Sequence, residues 1–99
     1  MSKSIVFFDV DDTLVCTVGT KRVPIPAVIE RVRVLRAAAT TMYLWSSGGA
    51  DYARKTAGEL GISHCFVGFL PKPTHIVDDQ HMSAWHDVKY LHPNEEITA

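Results

Sequence analysis

The chain begins with an apolar run that leads directly into closely spaced carboxylates. Residues 5–8 are Ile-Val-Phe-Phe, and Asp9, Asp11 and Asp12 follow at once. A short apolar run of this kind predicts a buried strand, and in open parallel α/β sheets ligands bind beyond the carboxyl ends of the strands. Acids this close repel one another, and a hard cation such as Mg²⁺, which takes oxygen ligands, would relieve that repulsion. The pattern therefore predicts a strand that ends in a charged site.

The rest of the chain predicts an α/β fold. Strand-like apolar runs alternate with helical patterns, which indicates βαβ units and a parallel sheet. Residues 14–23 predict a short hairpin that turns at residues 19–20. One helix is predicted to start near Pro26, and a second to run over residues 50–60 with Gly61 as its left-handed cap. Further strands are predicted over residues 42–46, 65–69, 75–78 and 88–91. The residues predicted to face inward are Val28, Val32, Leu35 and Ala39 in the first helix and Ala53, Ala57 and Leu60 in the second.

Length and composition narrow the class of protein. A chain of 99 residues suits one domain over residues 1–99 with a modest core. A net charge of -1 with interspersed signs argues against binding nucleic acid or a membrane surface through a basic face. No run approaches a membrane span or a signal peptide, so the sequence predicts a cytoplasmic protein without a membrane partner. Cys16 and Cys65 are isolated, which predicts reduced thiols.

Four motifs carry a resemblance to a known family. The segment Asp9-Val10-Asp11-Asp12-Thr13 resembles the first motif of the haloacid dehalogenase (HAD) superfamily, a strand followed by Asp-x-Asp-x-Thr/Val. The other three motifs follow in the family's order: Ser46 at the end of a strand, then Lys72, then the pair at residues 78–79. The resemblance covers residues 5–79 and implies a minimal Rossmann-like, HAD-type parallel sheet flanked by helices, with the hairpin as a flap.

The resemblance is to the small, capless type of HAD protein. Larger members insert cap domains in the flap or after the third strand, whereas residues 14–23 and 61–72 leave no room for one. A site without a lid encloses a small substrate poorly, which favours a large phosphorylated substrate or a lid from a second copy of the chain. The candidate substrates are a phosphorylated protein, a nucleic-acid end, a nucleotide or a sugar phosphate. The sequence does not decide whether the chain forms a homo-oligomer.

The resemblance implies a Mg²⁺-dependent phosphatase, a hydrolase of phosphomonoesters that acts through an aspartyl-phosphate. In that reading Asp9 is the nucleophile and Asp11 is the general acid and base. Ser46 donates a hydrogen bond to the phosphoryl group, and Lys72 offsets the negative charge of nucleophile and phosphate. Mg²⁺ is held by Asp9, the backbone carbonyl of Asp11 and Asp78.

The segment after Ser46 is suited to binding a phosphate. Ser47, Gly48 and Gly49 lead into the second helix, whose free amides and positive dipole end favour an anion. Glycines also allow the backbone to approach a ligand closely, because they lack a Cβ. Ser46, Ser47, Gly48 and Lys72 are therefore the predicted phosphate-binding residues.

Several neighbouring residues are interpreted as structural. Thr13 is predicted to shape the first loop by local hydrogen bonding, and Asp12 to be exposed, because the family motif leaves its position open. Asp79 is predicted to support Asp78 rather than to touch the metal, although spacing alone does not decide between them. Arg22, on the flap, is interpreted as part of a solvated turn, in preference to a residue that contacts a phosphorylated substrate.

The sequence also allows functions other than that of a phosphatase. The main alternative is a HAD-like binding or regulatory module that keeps the fold and turns over weakly. A signalling receiver domain fits poorly, because receivers carry their phosphorylated Asp on a middle strand. A dehalogenase is disfavoured by the second acid, Asp11, and a phosphomutase by the missing cap.

Overall fold

The computed structural model describes residues 4–85 and 88–95. Its regular elements, in chain order, are β1 (Ile5–Asp9), β2 (Val15–Val18), β3 (Lys21–Pro24), α1 (Pro26–Ala37), β4 (Thr41–Ser46), α2 (Ala50–Glu59) and β5 (Gly68–Pro71), with short 3₁₀ turns at Ser63–Cys65 and Met82–Ala84. Strands β1, β4 and β5 form a parallel sheet in the order β1-β4-β5, and β2 and β3 form a separate antiparallel hairpin. The predicted α/β class with a parallel sheet is confirmed at this level.

The core lies on one face of the sheet. Alternate strand residues such as Phe8, Met42 and Leu44 are buried there, together with residues of both helices. The buried helical residues are Val28, Ile29, Val32 and Leu35 in α1 and Ala53, Thr56 and Ala57 in α2. Both helices therefore pack against the same face, since a single cluster joins them to it.

The opposite face of the sheet is aromatic and partly exposed. Phe7, on β1, is 42 % exposed and contacts two rings of β4. Its ring centroid lies 5.0 Å from that of Tyr43 and 4.8 Å from that of Trp45. Trp45 thus belongs to this open face rather than to the core.

The hairpin and α1 form where the sequence predicts them. The turn between β2 and β3 includes Gly19 in the left-handed region, at φ 64°, and the Ile25 amide donates to the Leu14 carbonyl at 2.8 Å to close the base of the hairpin. Helix α1 starts at Pro26, as predicted. The prediction for Ala39 is wrong: α1 ends at Ala37, and Ala39 is exposed at φ 61°, because the chain reverses into the left-handed region there.

Helix α2 also matches its prediction, whereas the strand after it is shifted. Gly61 follows α2 at φ 72°, the predicted left-handed cap. The predicted strand over residues 65–69 is instead a 3₁₀ turn followed by β5 at Gly68–Pro71. Sheet pairing begins only at Val67, whose amide donates to the Met42 carbonyl at 2.9 Å, because Cys65 and Phe66 turn into the core.

The strands predicted over residues 75–78 and 88–91 are wrong. Both segments are irregular and exposed in the structure. Val77 is fully exposed, so the apolar pair at residues 76–77 has no sheet face to cover. Pro71 and Pro73 precede the first segment, and proline cannot donate to a sheet ladder, which separates that segment from β5.

Both cysteines are free, which agrees with the predicted reduced thiols. Burial raises the pKa of the Cys65 thiol. Across residues 4–85 and 88–95, no helix has both the length and the apolar character needed to span a bilayer.

Candidate active site at the carboxyl edge of the sheet

Three predicted site residues meet where the parallel strands end. Asp9 is the last residue of β1, Ser46 is the last residue of β4, and Lys72 directly follows β5. The Lys72 Nζ lies 3.3 Å from Asp9 Oδ1, and the Lys72 amide donates to the Ser46 carbonyl at 2.9 Å. The register explains this meeting, because Asp9 pairs with Trp45 and Trp45 with Leu70, so the three strand ends share one edge.

The loop after Asp9 is held tightly against the core. Val10 and Leu14 are fully buried, and the Leu14 amide donates to the Val10 carbonyl at 2.9 Å. The Thr13 amide donates to the same carbonyl at 3.3 Å, a backbone contact that does not involve the Thr13 hydroxyl. Asp12 is exposed and adopts φ 61°, a conformation that Asp tolerates better than most residues. The buried anchors therefore present Asp11 and Asp12 to solvent.

Asp11 has a partner that the sequence did not reveal. The Tyr52 hydroxyl, on the first turn of α2, donates to Asp11 Oδ1 at 2.6 Å. Burial raises the pKa of Tyr52 above its ordinary value of 10.0, and the hydrogen bond to Asp11 and the Asp11 charge raise it further, against the opposing effect of Arg22. The phenol is therefore a hydrogen-bond donor throughout the neutral range.

Arg22 connects the hairpin to α2, so its interpretation as part of a solvated turn is wrong. Its Nη2 donates to Thr56 Oγ1 at 2.8 Å, and its Nη1 lies 3.4 Å from Glu59 Oε1. The guanidinium carbon lies 5.0 Å from the centroid of the Tyr52 ring, within the range of a cation–π contact. The long Arg22 side chain crosses to the helix because its β3 position faces α2.

The segment between β4 and α2 combines a buried hydroxyl with an open helix end. Ser46 is 1 % exposed, and its Oγ accepts from the Gly48 amide at 3.0 Å. Gly49 precedes α2 at φ 106°, which favours glycine, whereas Ser47 is exposed. Within residues 4–85 and 88–95, no side chain caps the start of α2. The first-turn amides of α2 are therefore suited to an anion.

Gly48 is required by packing rather than by backbone conformation. A Cβ at Gly48 would lie 2.9 Å from Tyr52 Cδ2 and 3.4 Å from Ser46 Oγ. We expect Gly48→Ala to lower the free energy of unfolding by about 1–3 kcal/mol, because the Tyr52 ring must move away from its place. Urea unfolding of the variant beside the wild type measures this loss.

Gly58→Ala is the matched control for that change. Gly58 lies inside α2, and a Cβ there meets only Ser63 Oγ at 3.6 Å, an ordinary contact. Alanine at this helical position should raise the free energy of unfolding by about 0.5–1 kcal/mol. Equal stability of the two alanine variants would show that Gly48 is not closely packed against Tyr52.

The pair Asp78 and Asp79 lies on the irregular segment after Lys72. The Gln80 amide donates to Asp78 Oδ1 at 3.0 Å, and this hydrogen bond, followed by one with Asp79, lowers the pKa of Asp78. In the part of the chain that the structure describes, neither carboxylate forms a hydrogen bond or ion pair with Asp9 or Asp11. No sheet pairing fixes this segment, which explains why the fourth motif stands apart.

Two of the three predicted Mg²⁺ ligands, Asp9 and the Asp11 carbonyl, offer oxygen atoms of the kind that a hard cation prefers. The isolated β-bridge between Asp11 and Val15 is formed by hydrogen bonds to the carbonyls of Val10 and Val15. The Asp11 carbonyl accepts no hydrogen bond in this bridge. Asp9 contributes a half-buried carboxylate. Among the described residues, no group of three or more His, Cys, Asp or Glu side chains is arranged to hold a metal. Magnesium often binds through one or two carboxylates and keeps several waters, so Asp9 and the Asp11 carbonyl fit it as a partial site.

Fold and site together define a small α/β protein with an acid–lysine pair at the carboxyl edge of a parallel sheet. Over residues 1–97 the chain matches the family described as a protein of unknown function (DUF705), and it belongs to that family. No curated protein and no solved structure matches the chain.

Proposed function

We propose that this protein is a Mg²⁺-dependent phosphomonoesterase of the capless HAD type that acts through an aspartyl-phosphate on Asp9. The observation that carries the proposal is the meeting of Asp9, Ser46 and Lys72 at one sheet edge. The HAD motifs predict these three residues from the sequence, in which Asp9 and Lys72 are 63 positions apart. A nucleophile and a cation paired at a strand edge, next to the backbone of Ser46, suit phosphoryl transfer.

The first chemical step falls to Asp9. Its carboxylate is 34 % exposed, so a phosphoryl group can reach it from solvent. An oxygen of Asp9 would attack phosphorus as the bond to the leaving oxygen breaks. Lys72, at 3.3 Å from Asp9 Oδ1, would offset the negative charge of the carboxylate and of the incoming phosphoryl group.

Asp11 would act as the general acid in the first step and as the general base in the second. It is exposed and lies two residues beyond the nucleophile, which places it on the solvent side of the site. In the first step its carboxyl would protonate the leaving oxygen, and in the second it would accept a proton from the water that hydrolyses the aspartyl-phosphate. The amides at the start of α2 would hold the phosphoryl oxygens.

Magnesium would be held by Asp9 and by the backbone carbonyl of Asp11, with Asp78 as the further ligand if the segment after Lys72 closes onto the site. When bound, Mg²⁺ neutralises phosphate charge and orients the phosphoryl group for in-line attack. The charge balance supports its presence, because Lys72 pairs with Asp9 alone, and within residues 4–85 and 88–95 neither Asp11 nor Asp12 forms an ion pair.

The open site favours a large phosphorylated substrate. Asp11, Asp12 and Ser47 are exposed, and the hairpin packs onto α2 through Arg22. An open site gives a small ester few contacts, so affinity would come from the larger body of the substrate. A phosphorylated protein or a nucleic-acid end meets this condition better than a nucleotide or a sugar phosphate.

The experiment that tests the proposal is metal-dependent hydrolysis of p-nitrophenyl phosphate. We expect turnover in Mg²⁺, its loss in EDTA, and its return when Mg²⁺ is added in excess of EDTA. Excess Ca²⁺ is the matched control, because its larger and more flexible coordination suits in-line transfer poorly. A wild-type chain that is inert in Mg²⁺ on this ester and on a phosphopeptide, or equally active in EDTA, would contradict the proposal.

A second candidate is a binding or regulatory module with weak turnover. The observation that favours it is that Asp78 and Asp79 form no hydrogen bond or ion pair with Asp9 in the described residues. Such a module would bind a phosphorylated partner without hydrolysing it. Tight binding of a non-hydrolysed phosphopeptide by a chain that is inert in Mg²⁺ would favour this candidate.

A further inference from the structure

Tyr52 occupies a position at the candidate site that neither the motifs nor the predicted roles include. Its hydroxyl donates to Asp11 Oδ1 at 2.6 Å across 41 positions of sequence. This distance is that of a short hydrogen bond to an ionised oxygen. Asp11 is exposed on a loop, so its carboxylate has no packing of its own to fix its direction.

We propose that Tyr52 is a positioning residue that holds the Asp11 carboxylate for proton transfer to the leaving oxygen of a phosphate ester. This inference rests on the proposed phosphatase function. With Oδ1 engaged by the phenol, Oδ2 is the oxygen that carries the proton. When Asp9 attacks phosphorus and the bond to the leaving oxygen breaks, that oxygen takes the proton from Asp11, which becomes a carboxylate.

The Tyr52 ring is itself held on two sides. On one side the Arg22 guanidinium carbon lies 5.0 Å from the ring centroid, and Arg22 is fixed by its hydrogen bond to Thr56 at 2.8 Å. On the other, the missing side chain of Gly48 leaves room for the ring, since a Cβ there would lie 2.9 Å from Tyr52 Cδ2. A hydroxyl on a ring held in this way can fix the direction of an exposed carboxylate.

The leaving group distinguishes positioning from a merely structural role. An aryl oxygen such as that of p-nitrophenol leaves readily without a proton, whereas an alkyl oxygen requires one. Loss of Asp11 positioning should therefore slow alkyl esters far more than aryl esters. A structural defect would slow both classes alike, because it would reduce the amount of active protein.

The decisive variant is Tyr52→Phe, which keeps the ring and its packing. We expect kcat on glycerol phosphate to fall about 10–100-fold, part of the full effect of general acid catalysis, and kcat on p-nitrophenyl phosphate to fall less than about 3-fold. KM for both esters should stay nearly unchanged, since the hydroxyl contacts Asp11 rather than substrate. Tyr43→Phe, which removes a hydroxyl on the open face of the sheet, is the matched control and should leave both rates unchanged. Equal losses on both esters would overturn the proposal.

A second measurement examines the contact without turnover. Thermal unfolding of Tyr52→Phe, Asp11→Ala and the double variant forms a double-mutant cycle. We expect the double variant to lose less in Tm than the two single variants together, and additive losses would overturn the contact on which the proposal depends. A wild type inert on every ester would instead overturn the proposed function, and the positioning role with it, even if the cycle showed coupling.

Discussion

Asp9→Asn should abolish Mg²⁺-dependent hydrolysis, with a loss of at least about 10³-fold in kcat. Asparagine has nearly the shape of aspartate, but its neutral amide does not attack phosphorus and lacks the negative charge with which a carboxylate holds a metal. The residue ends β1, and the buried Phe8 and Val10 on either side hold its backbone in place. The change therefore removes the chemistry without moving the site.

The stability of Asp9→Asn shows whether its loss of activity comes from a loss of folded protein. Asp9 and Lys72 are more than one third exposed in their ion pair, and such pairs contribute about 0–1 kcal/mol. Asp9→Asn should thus unfold in urea close to the wild type. Steady-state hydrolysis of p-nitrophenyl phosphate measures the rate, and acid-quenched labelling with a phosphorylated substrate measures the covalent intermediate.

Glu30→Gln is the matched control for Asp9→Asn. Glu30 is an exposed carboxylate on α1, outside the sheet edge, and its neutralisation should leave turnover unchanged. If Asp9→Asn kept most of its activity while Glu30→Gln behaved as the wild type, hydrolysis would proceed without Asp9 as nucleophile. The aspartyl-phosphate proposal would then be wrong.

The sequence predicted the parts of the fold that depend on local chemistry. Pro26 begins α1 because proline suits the first helical turn, and Gly61 follows α2 because its backbone is left-handed. The apolar run over residues 42–46 is likewise a local signal, and β4 runs over Thr41–Ser46. Strand ends at a shared edge then follow from the parallel order, which is why Asp9 and Lys72 were predicted to meet.

Contacts that depend on tertiary packing were not predictable in the same way. The hydrogen bond from Tyr52 to Asp11 joins residues 41 positions apart, and that from Arg22 to Thr56 joins residues 34 apart. No periodic pattern encodes such pairs. A polar residue at the start of α2, next to a glycine-rich turn, was the only local signal for Tyr52.

The wrong strand over residues 75–78 has a related cause. Ile76 and Val77 have strand-forming side chains, but a strand also needs a partner with free ladder groups. Strand β5 reaches only Pro71, and Pro73 interrupts the chain before the segment. The strand propensity of Ile76 and Val77 was therefore outweighed by the lack of a strand with which to pair.

Lys72→Met should lower kcat by about 10²–10³-fold, the range found when one group that stabilises a transition state is removed. Methionine keeps the length and apolar stem of lysine but carries no charge. The Lys72 amide, which donates to the Ser46 carbonyl at 2.9 Å, is a backbone group and survives the change. The loss should therefore report the ammonium beside Asp9 rather than the path of the loop.

A Mg²⁺ titration of Lys72→Met shows whether the Lys72 ammonium stabilises the phosphoryl group directly. If the ammonium stabilises the transferring phosphoryl group directly, raising Mg²⁺ should not restore the rate of Lys72→Met, because a bound metal would not replace the positive charge at the position of the ammonium. Lys55→Met, which changes an exposed lysine of α2, should keep the wild-type rate and is the matched control. Full recovery of Lys72→Met at high Mg²⁺ would contradict a direct role, since Lys72 would then serve only to balance the charge of Asp9.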